Sequence, residues 1–228
     1  MKAKKMRGRK FLIIGLAVAL VTLWASVGQA NLLTNGDFGG VPVPSSFITL
    51  PGGSTYIPGW TVSGYSIDYV GGYWQAPPGV FTSLDLDGSP PLDNGSGSAE
   101  GGIFQSFATN PGTTYQVSFY LAGNPDSGTG IAPEPKQVVV ATVGSNTYYF
   151  DASTTTHTSM GWELVSFDFT ANSGFTTLSF TSETPGYYGP VIGEVSVSQV
   201  PLPPTVLLLG SGLLGLFGLG WRWRRKTA

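Results

Sequence analysis

No cysteine occurs anywhere in the 228 residues. The chain must therefore fold without disulfides, and its stability comes from packing. Histidine is nearly absent too: His157 stands alone, inside Thr154-Thr-Thr-His-Thr-Ser159, a polar stretch that reads as a solvated turn. Without a cysteine nucleophile, a Gly-x-Ser-x-Gly elbow or a multi-histidine cluster, the sequence offers no recognisable catalytic constellation. Charge is sparse at 11% of residues and unevenly placed. Six basic residues fall in the first ten positions and four in the last seven, which leaves Lys136 as the one cation between them. All thirteen acids lie between Asp37 and Glu194, so the segment from Asn31 to Val200 carries a formal charge of −12. Polyphosphate binding needs Lys and Arg to neutralise it, so nucleic acid is excluded as a partner. Helical periodicity is missing as well, and 33 Gly with 17 Pro argue against a mostly helical chain.

What is present begins with the two ends. A basic start, an apolar run from Phe11 to Trp24 and the small residues Gly28 and Ala30 have the layout of a signal peptide spanning 1–30, to be cut by signal peptidase after Ala30. At the other end, Val200-Pro-Leu-Pro-Pro204 precedes sixteen uncharged residues, Thr205 to Gly220, and then Trp221-Arg-Trp-Arg-Arg-Lys226. This predicts a short transmembrane helix over 205–221 with its basic end cytoplasmic. Together, Pro201, Pro203, Pro204, the Leu/Gly-rich run and Arg222, Arg224 and Arg225 resemble the PEP-CTERM sorting signal, here over 200–228, with Leu202 in place of the usual Glu. The resemblance implies export, transient tethering in the inner membrane, cleavage by exosortase, and arrival at the cell surface or exopolysaccharide matrix of a Gram-negative bacterium.

Between the signals, 31–199 reads as one domain. Period-two alternation at Tyr115–Leu121, Val138–Val143, Val165–Phe169, Phe175–Thr181 and Val191–Val197 predicts half-buried strands bounded by Gly, Pro, Asn or Ser. Many short strands with turn signals predict an all-β antiparallel β-sandwich. Asn31-Leu-Leu-Thr-Asn-Gly-Asp-Phe38, Ile57-Pro-Gly-Trp60, Tyr73-Trp-Gln-Ala76, Gly102-Ile-Phe-Gln-Ser-Phe107 and Leu121-Ala-Gly-Asn-Pro125 occur in the order seen in choice-of-anchor C proteins. Those resemble a domain-of-unknown-function family of plant cell-wall proteins. The resemblance implies a galactose-binding-like jelly roll and non-catalytic polysaccharide binding.

Such jelly rolls hold a structural Ca2+ with a carboxylate after the opening Asn-Gly-x-Phe and an Asp before the last Val-Ser-Val. Here those positions are Gly39 and Gly193, which disfavours the ion; Asp37 and Glu194 are the candidates for a shifted site. Asp85 and Asp87, two apart, share one side of a strand and form a cation candidate with Asp93, or else an Asp-Gly turn at Asp87-Gly88. Exposed rings that stack on sugars are sought near Gly-rich turns, among Tyr65, Tyr69, Tyr73, Trp74, Tyr187 and Tyr188; Tyr73 and Trp74 read equally as core, and Tyr187 and Tyr188 are the loop candidates, with Asn124 and Asp126 as polar partners. Trp60, Phe119, Phe167 and Phe169 read as core. The alternatives to glycan binding are a matrix protein without a defined ligand and a glycan hydrolase using a carboxylate pair.

Overall fold

The computed structural model describes residues 30–89, 100–126 and 135–201, with Leu209 beyond them. Apart from Ala30 and Leu209, the signal peptide and the sorting helix lie outside the described residues, as do Pro203, Pro204, Arg222, Arg224, Arg225 and Asp93; Ala30 and Pro201 lie within them and are exposed. No helix among the described residues is long and apolar enough to cross a membrane.

Ala30–Val200 forms one compact unit. Its strands are β1 (Phe47–Pro51), β2 (Thr61–Gly64), β3 (Ser66–Val70), β4 (Ser83–Asp85), β5 (Gly101–Ala108), β6 (Thr114–Gly123), β7 (Lys136–Ala141), β8 (Ser145–Phe150), β9 (Glu163–Thr170), β10 (Phe175–Ser182) and β11 (Pro190–Gln199). They pair antiparallel into a six-stranded sheet, β1-β3-β4-β11-β6-β9, and a five-stranded sheet, β2-β5-β10-β7-β8. This is the expected all-β antiparallel sandwich of jelly-roll type.

Alternation explains which faces meet. Val117, Phe119 and Leu121 of β6 point inward and are buried, while Gln116, Ser118 and Tyr120 point out. Across the core, Phe119 meets Phe180 of β10 edge-on at 5.0 Å and Tyr148 at 5.7 Å. Burying each such ring contributes about 1.5–3 kcal/mol. Trp60, Phe119 and Phe169 are core as expected, whereas Phe167 is half-buried because β9 is an edge strand covered on one flank only.

Two features place the functional region. β3 and β4 are buried on both faces: Asp68 is covered by Thr49 and Ser89, Asp85 by Asn124 and Gly189, and the segment from Gly71 to Thr82 lies against Ser83 of β4 and Gly193 of β11. Trp74 Nε1 donates to Ser83 Oγ at 2.9 Å, and the Pro77 ring occupies the space a side chain on Gly193 would need. The second feature is a staple at the start of the unit. Asn31 Nδ2 donates to Val195 O at 3.0 Å, and Asn31 Oδ1 accepts from the N–H groups of Leu33 (3.1 Å) and Val197 (2.9 Å). The opening residues are thereby bonded to the second half of β11.

Candidate functional site

Where the Gly71–Thr82 segment leaves β3, Tyr73 turns its ring toward three neighbours: His157 at 4.7 Å between centroids, Phe47 at 5.2 Å and Trp74 at 5.5 Å. Its hydroxyl donates to Asp126 Oδ2 at 2.9 Å. The other oxygen of that carboxylate, Oδ1, lies 2.7 Å from His157 Nε2. One carboxylate is thus held between a phenol and an imidazole drawn from three separate parts of the chain. An ionised carboxylate can only accept, so in that pair Nε2 is the donating nitrogen. The imidazole and carboxylate are 41% and 33% exposed, so solvent and ligand reach both. Burial, with the Asp126 carboxylate behind it, raises the pKa of the Tyr73 phenol above its ordinary 10.0 and keeps it a donor at neutral pH.

Each member is positioned by its backbone. His157 lies at the tip of a tight turn closed by reciprocal Thr156–Ser159 backbone hydrogen bonds of 3.0 Å. That turn is laced to the Tyr73 segment through Gln75: its N–H donates to His157 O (2.7 Å), its Oε1 accepts from Met160 N–H (3.1 Å), and its carbonyl accepts from Trp162 Nε1 (3.0 Å). Asp126 follows the end of β6 and is set by Asn124, whose Oδ1 accepts the Asp126 N–H at 2.9 Å. Asn124 is itself buried and donates from Nδ2 to Asp85 Oδ2 at 2.6 Å. Asp85 also accepts from the N–H groups of Asp87 (3.0 Å) and Gly189 (3.1 Å). A buried carboxylate therefore anchors the Asn124 and Gly189 loops, and Asn124 aims Asp126.

The expected residues fall into three groups. Tyr73 and Asp126 meet, and Tyr188, half-buried on the loop before β11, lies close enough to affect the Tyr73 phenol electrostatically; Tyr187 beside it is half-buried as well. Trp74 and Asn124 are placed inside the fold: Trp74 is 7% exposed with its indole N–H donated to Ser83, which is the core reading, and Asn124 is 6% exposed with its amide donated to Asp85. Asp37 and Glu194 form the third group. The Asp37 carboxylate turns back to accept the Gly39 N–H at 3.2 Å, and the Glu194 carboxylate lies near Gly79. Among the described residues no group of three or more His, Asp or Glu side chains assembles to hold a metal ion. His157 is the residue that sequence reasoning missed. Its partner in sequence is 31 residues away, so no local pattern marks it.

By class this is an all-β sandwich of jelly-roll type, with a solvent-reachable carboxylate and imidazole set among aromatic rings. The chain belongs to the family described as "Protein of unknown function (DUF642)", whose profile matches residues 31–198. Residues 199–226 match the PEP-CTERM protein-sorting motif, which marks a secreted protein sorted by way of the membrane. Halomucin of Haloquadratum walsbyi is 29% identical over 203 residues, covering 82% of this chain; the chain spans only 2% of that relative's length. Among solved structures, the CBM22-1 xylan-binding domain of Paenibacillus barcinonensis Xyn10C aligns over 78% of this chain and 100% of its own, at 16% identity and a TM-score of 0.42. A CBM4 structure aligns over 74% and 99%, at 16% identity and 0.38. The arabinose-bound α-L-arabinofuranosidase MgGH51 aligns over 76% and 27%, at 13% identity and 0.49.

Proposed function

We propose that this protein is a non-catalytic polysaccharide-binding module, delivered by its two terminal signals to the cell surface or exopolysaccharide matrix of a Gram-negative bacterium. The observation that carries this reading is the Asp126 carboxylate held between Tyr73 and His157. A sugar presents hydroxyl groups and an apolar C–H face. The carboxylate lone pairs and the imidazole accept and donate to the former, and the adjoining rings take the latter. A formal charge of −12 between Asn31 and Val200 repels anionic polymers, so the preferred ligand is an uncharged glycan. Hydrolysis is disfavoured because each Asp126 oxygen already faces a donor, while Asp85 and Asp87 are fully buried and out of reach of a glycosidic oxygen.

Affinity electrophoresis of the purified protein through gels containing neutral or acidic polysaccharides tests the reading. Retardation by a neutral polysaccharide is expected. Tyr73→Ala, Asp126→Ala and His157→Ala should each weaken it about tenfold or more, the equivalent of about 1.4 kcal/mol, with melting temperatures showing that the variants fold. Equal migration of wild type and variants in every gel defeats it.

A further inference from the structure

The five strands of the second sheet contain one charged residue, Lys136, and it is fully buried. Their outward strand positions therefore carry no charge, on a unit that holds thirteen acids; one carboxylate reaches the rim of the face, that of Glu183 just past β10, where it accepts from Gln137 Nε2 at 2.8 Å. The six-stranded sheet differs, with Asp68, Asp85, Glu163, Asp168 and Glu194 in its strands. In place of charge, the outer face of the five-stranded sheet presents hydroxyl groups in register. Ser106 stands opposite Thr177 with their oxygens 2.7 Å apart, and Thr181 stands opposite Val139, which in turn pairs with Thr147. Two rings rise at separate corners, Phe175 at 72% exposure and Tyr149 at 58%.

Side chains on such a face repeat about every 4.8 Å across strands and about 6.7 Å along them, a regular plane of donors and acceptors. A protein partner would need a contiguous apolar centre, whereas here half-buried Phe104 of β5 is separated from Val139 and Ala141 of β7 by the outward Thr177, Ser179 and Thr181 of β10. An anionic polymer finds no cation. We propose that this face is a second docking surface, for an uncharged polysaccharide chain lying across the Ser106–Thr177–Thr181 hydroxyls between Phe175 and Tyr149. It lies on the opposite side of the sandwich from the Tyr73 segment, which covers the six-stranded sheet. One molecule then holds two glycan chains, and the protein cross-links them. The cross-linking rests on the loop-site reading above; the docking surface does not.

The test mixes the purified protein with soluble arabinoxylan, mixed-linkage β-glucan or galactan and reads both gel retardation and light scattering. Wild type should be retarded by at least one probe and should raise its scattering. Thr177→Glu with Thr181→Glu, and separately Phe175→Ala with Tyr149→Ala, should abolish the scattering gain and lower apparent affinity about tenfold or more, since linked sites reinforce each other. His157→Ala should abolish scattering yet leave residual retardation, and combining it with either face pair should remove that residue. If both face pairs leave retardation and scattering unchanged, the surface is overturned whatever His157→Ala does. If the face pairs abolish retardation while His157→Ala changes nothing, the surface stands and the loop reading fails. If the face pairs change only self-association in sedimentation, the face joins copies of the chain and the proposal is overturned. No retardation of wild type by any probe overturns both readings.

Discussion

The carboxyl group of Asp87 is fully buried, and among the described residues neither oxygen has a partner in good hydrogen-bonding geometry. Burial raises its pKa from 3.8 to about 8, the nearby Ser182 hydroxyl and Lys136 charge offsetting part of the cost. Burial, together with Asp87 and Asp68, also raises Asp85 well above 3.8. Between 3.8 and about 8 the folded chain keeps protons that the unfolded chain has released, so stability falls as pH rises through that window. Asp87→Asn should therefore raise the melting temperature at pH 8 by about 3–6 °C, change it little near pH 4, and flatten the wild-type decline. Thermal unfolding across this range checks it, and an unchanged slope would show that Asp87 carries no such proton. None of this was visible in the sequence, where Asp85-Leu-Asp87-Gly88 looks like a strand end and a turn. The same holds for His157. A lone imidazole among threonines signals nothing until the fold brings Asp126, and through it Tyr73, 53 residues from that carboxylate, into contact.

Strands covered on one face were legible because half-burial writes itself as alternation. β6, β9, β10 and β11 carry that pattern and fall close to where it placed them, although β7 closes at Ala141, ahead of the expected Val143. β3 and β4 were not legible as strands, since burial on both faces erases the period and leaves only the short runs Ser-Ile-Asp-Tyr-Val and Ser-Leu-Asp. The opening Asn31 could be quoted as a motif residue, but its work is on an element 164 and 166 residues away, at Val195 and Val197 of β11. Asn31→Ala removes three hydrogen bonds and leaves the Val195 carbonyl and Val197 N–H without this partner. We expect a loss of about 1–3 kcal/mol, read as a lower urea midpoint with an unchanged slope. Asn31→Ser, which keeps one acceptor, should fall between.

At the scale of the whole chain, the formal charge of −2 conceals basic ends flanking a body at −12. If signal peptidase and exosortase act as proposed, mass spectrometry of the surface or matrix form should give a chain beginning at Asn31 and lacking Arg222, Arg224 and Arg225. Recovery of intact Arg-rich termini on that form would defeat the processing proposal. The staple and the site then acquire a directional relation. β11 begins at Pro190, opposite Gly123 and near Asp126, and ends at Gln199, with Val200 N–H still bonded to Thr114 O at 2.9 Å. If the proposed glycan grips Asp126 while the C-terminal end is held at a surface, tension runs along β11, which lies between β4 and β6 and not at an edge. Its ladder with β6 is loaded in shear, many hydrogen bonds together, instead of being unzipped one at a time, and such a tether fails slowly under flow.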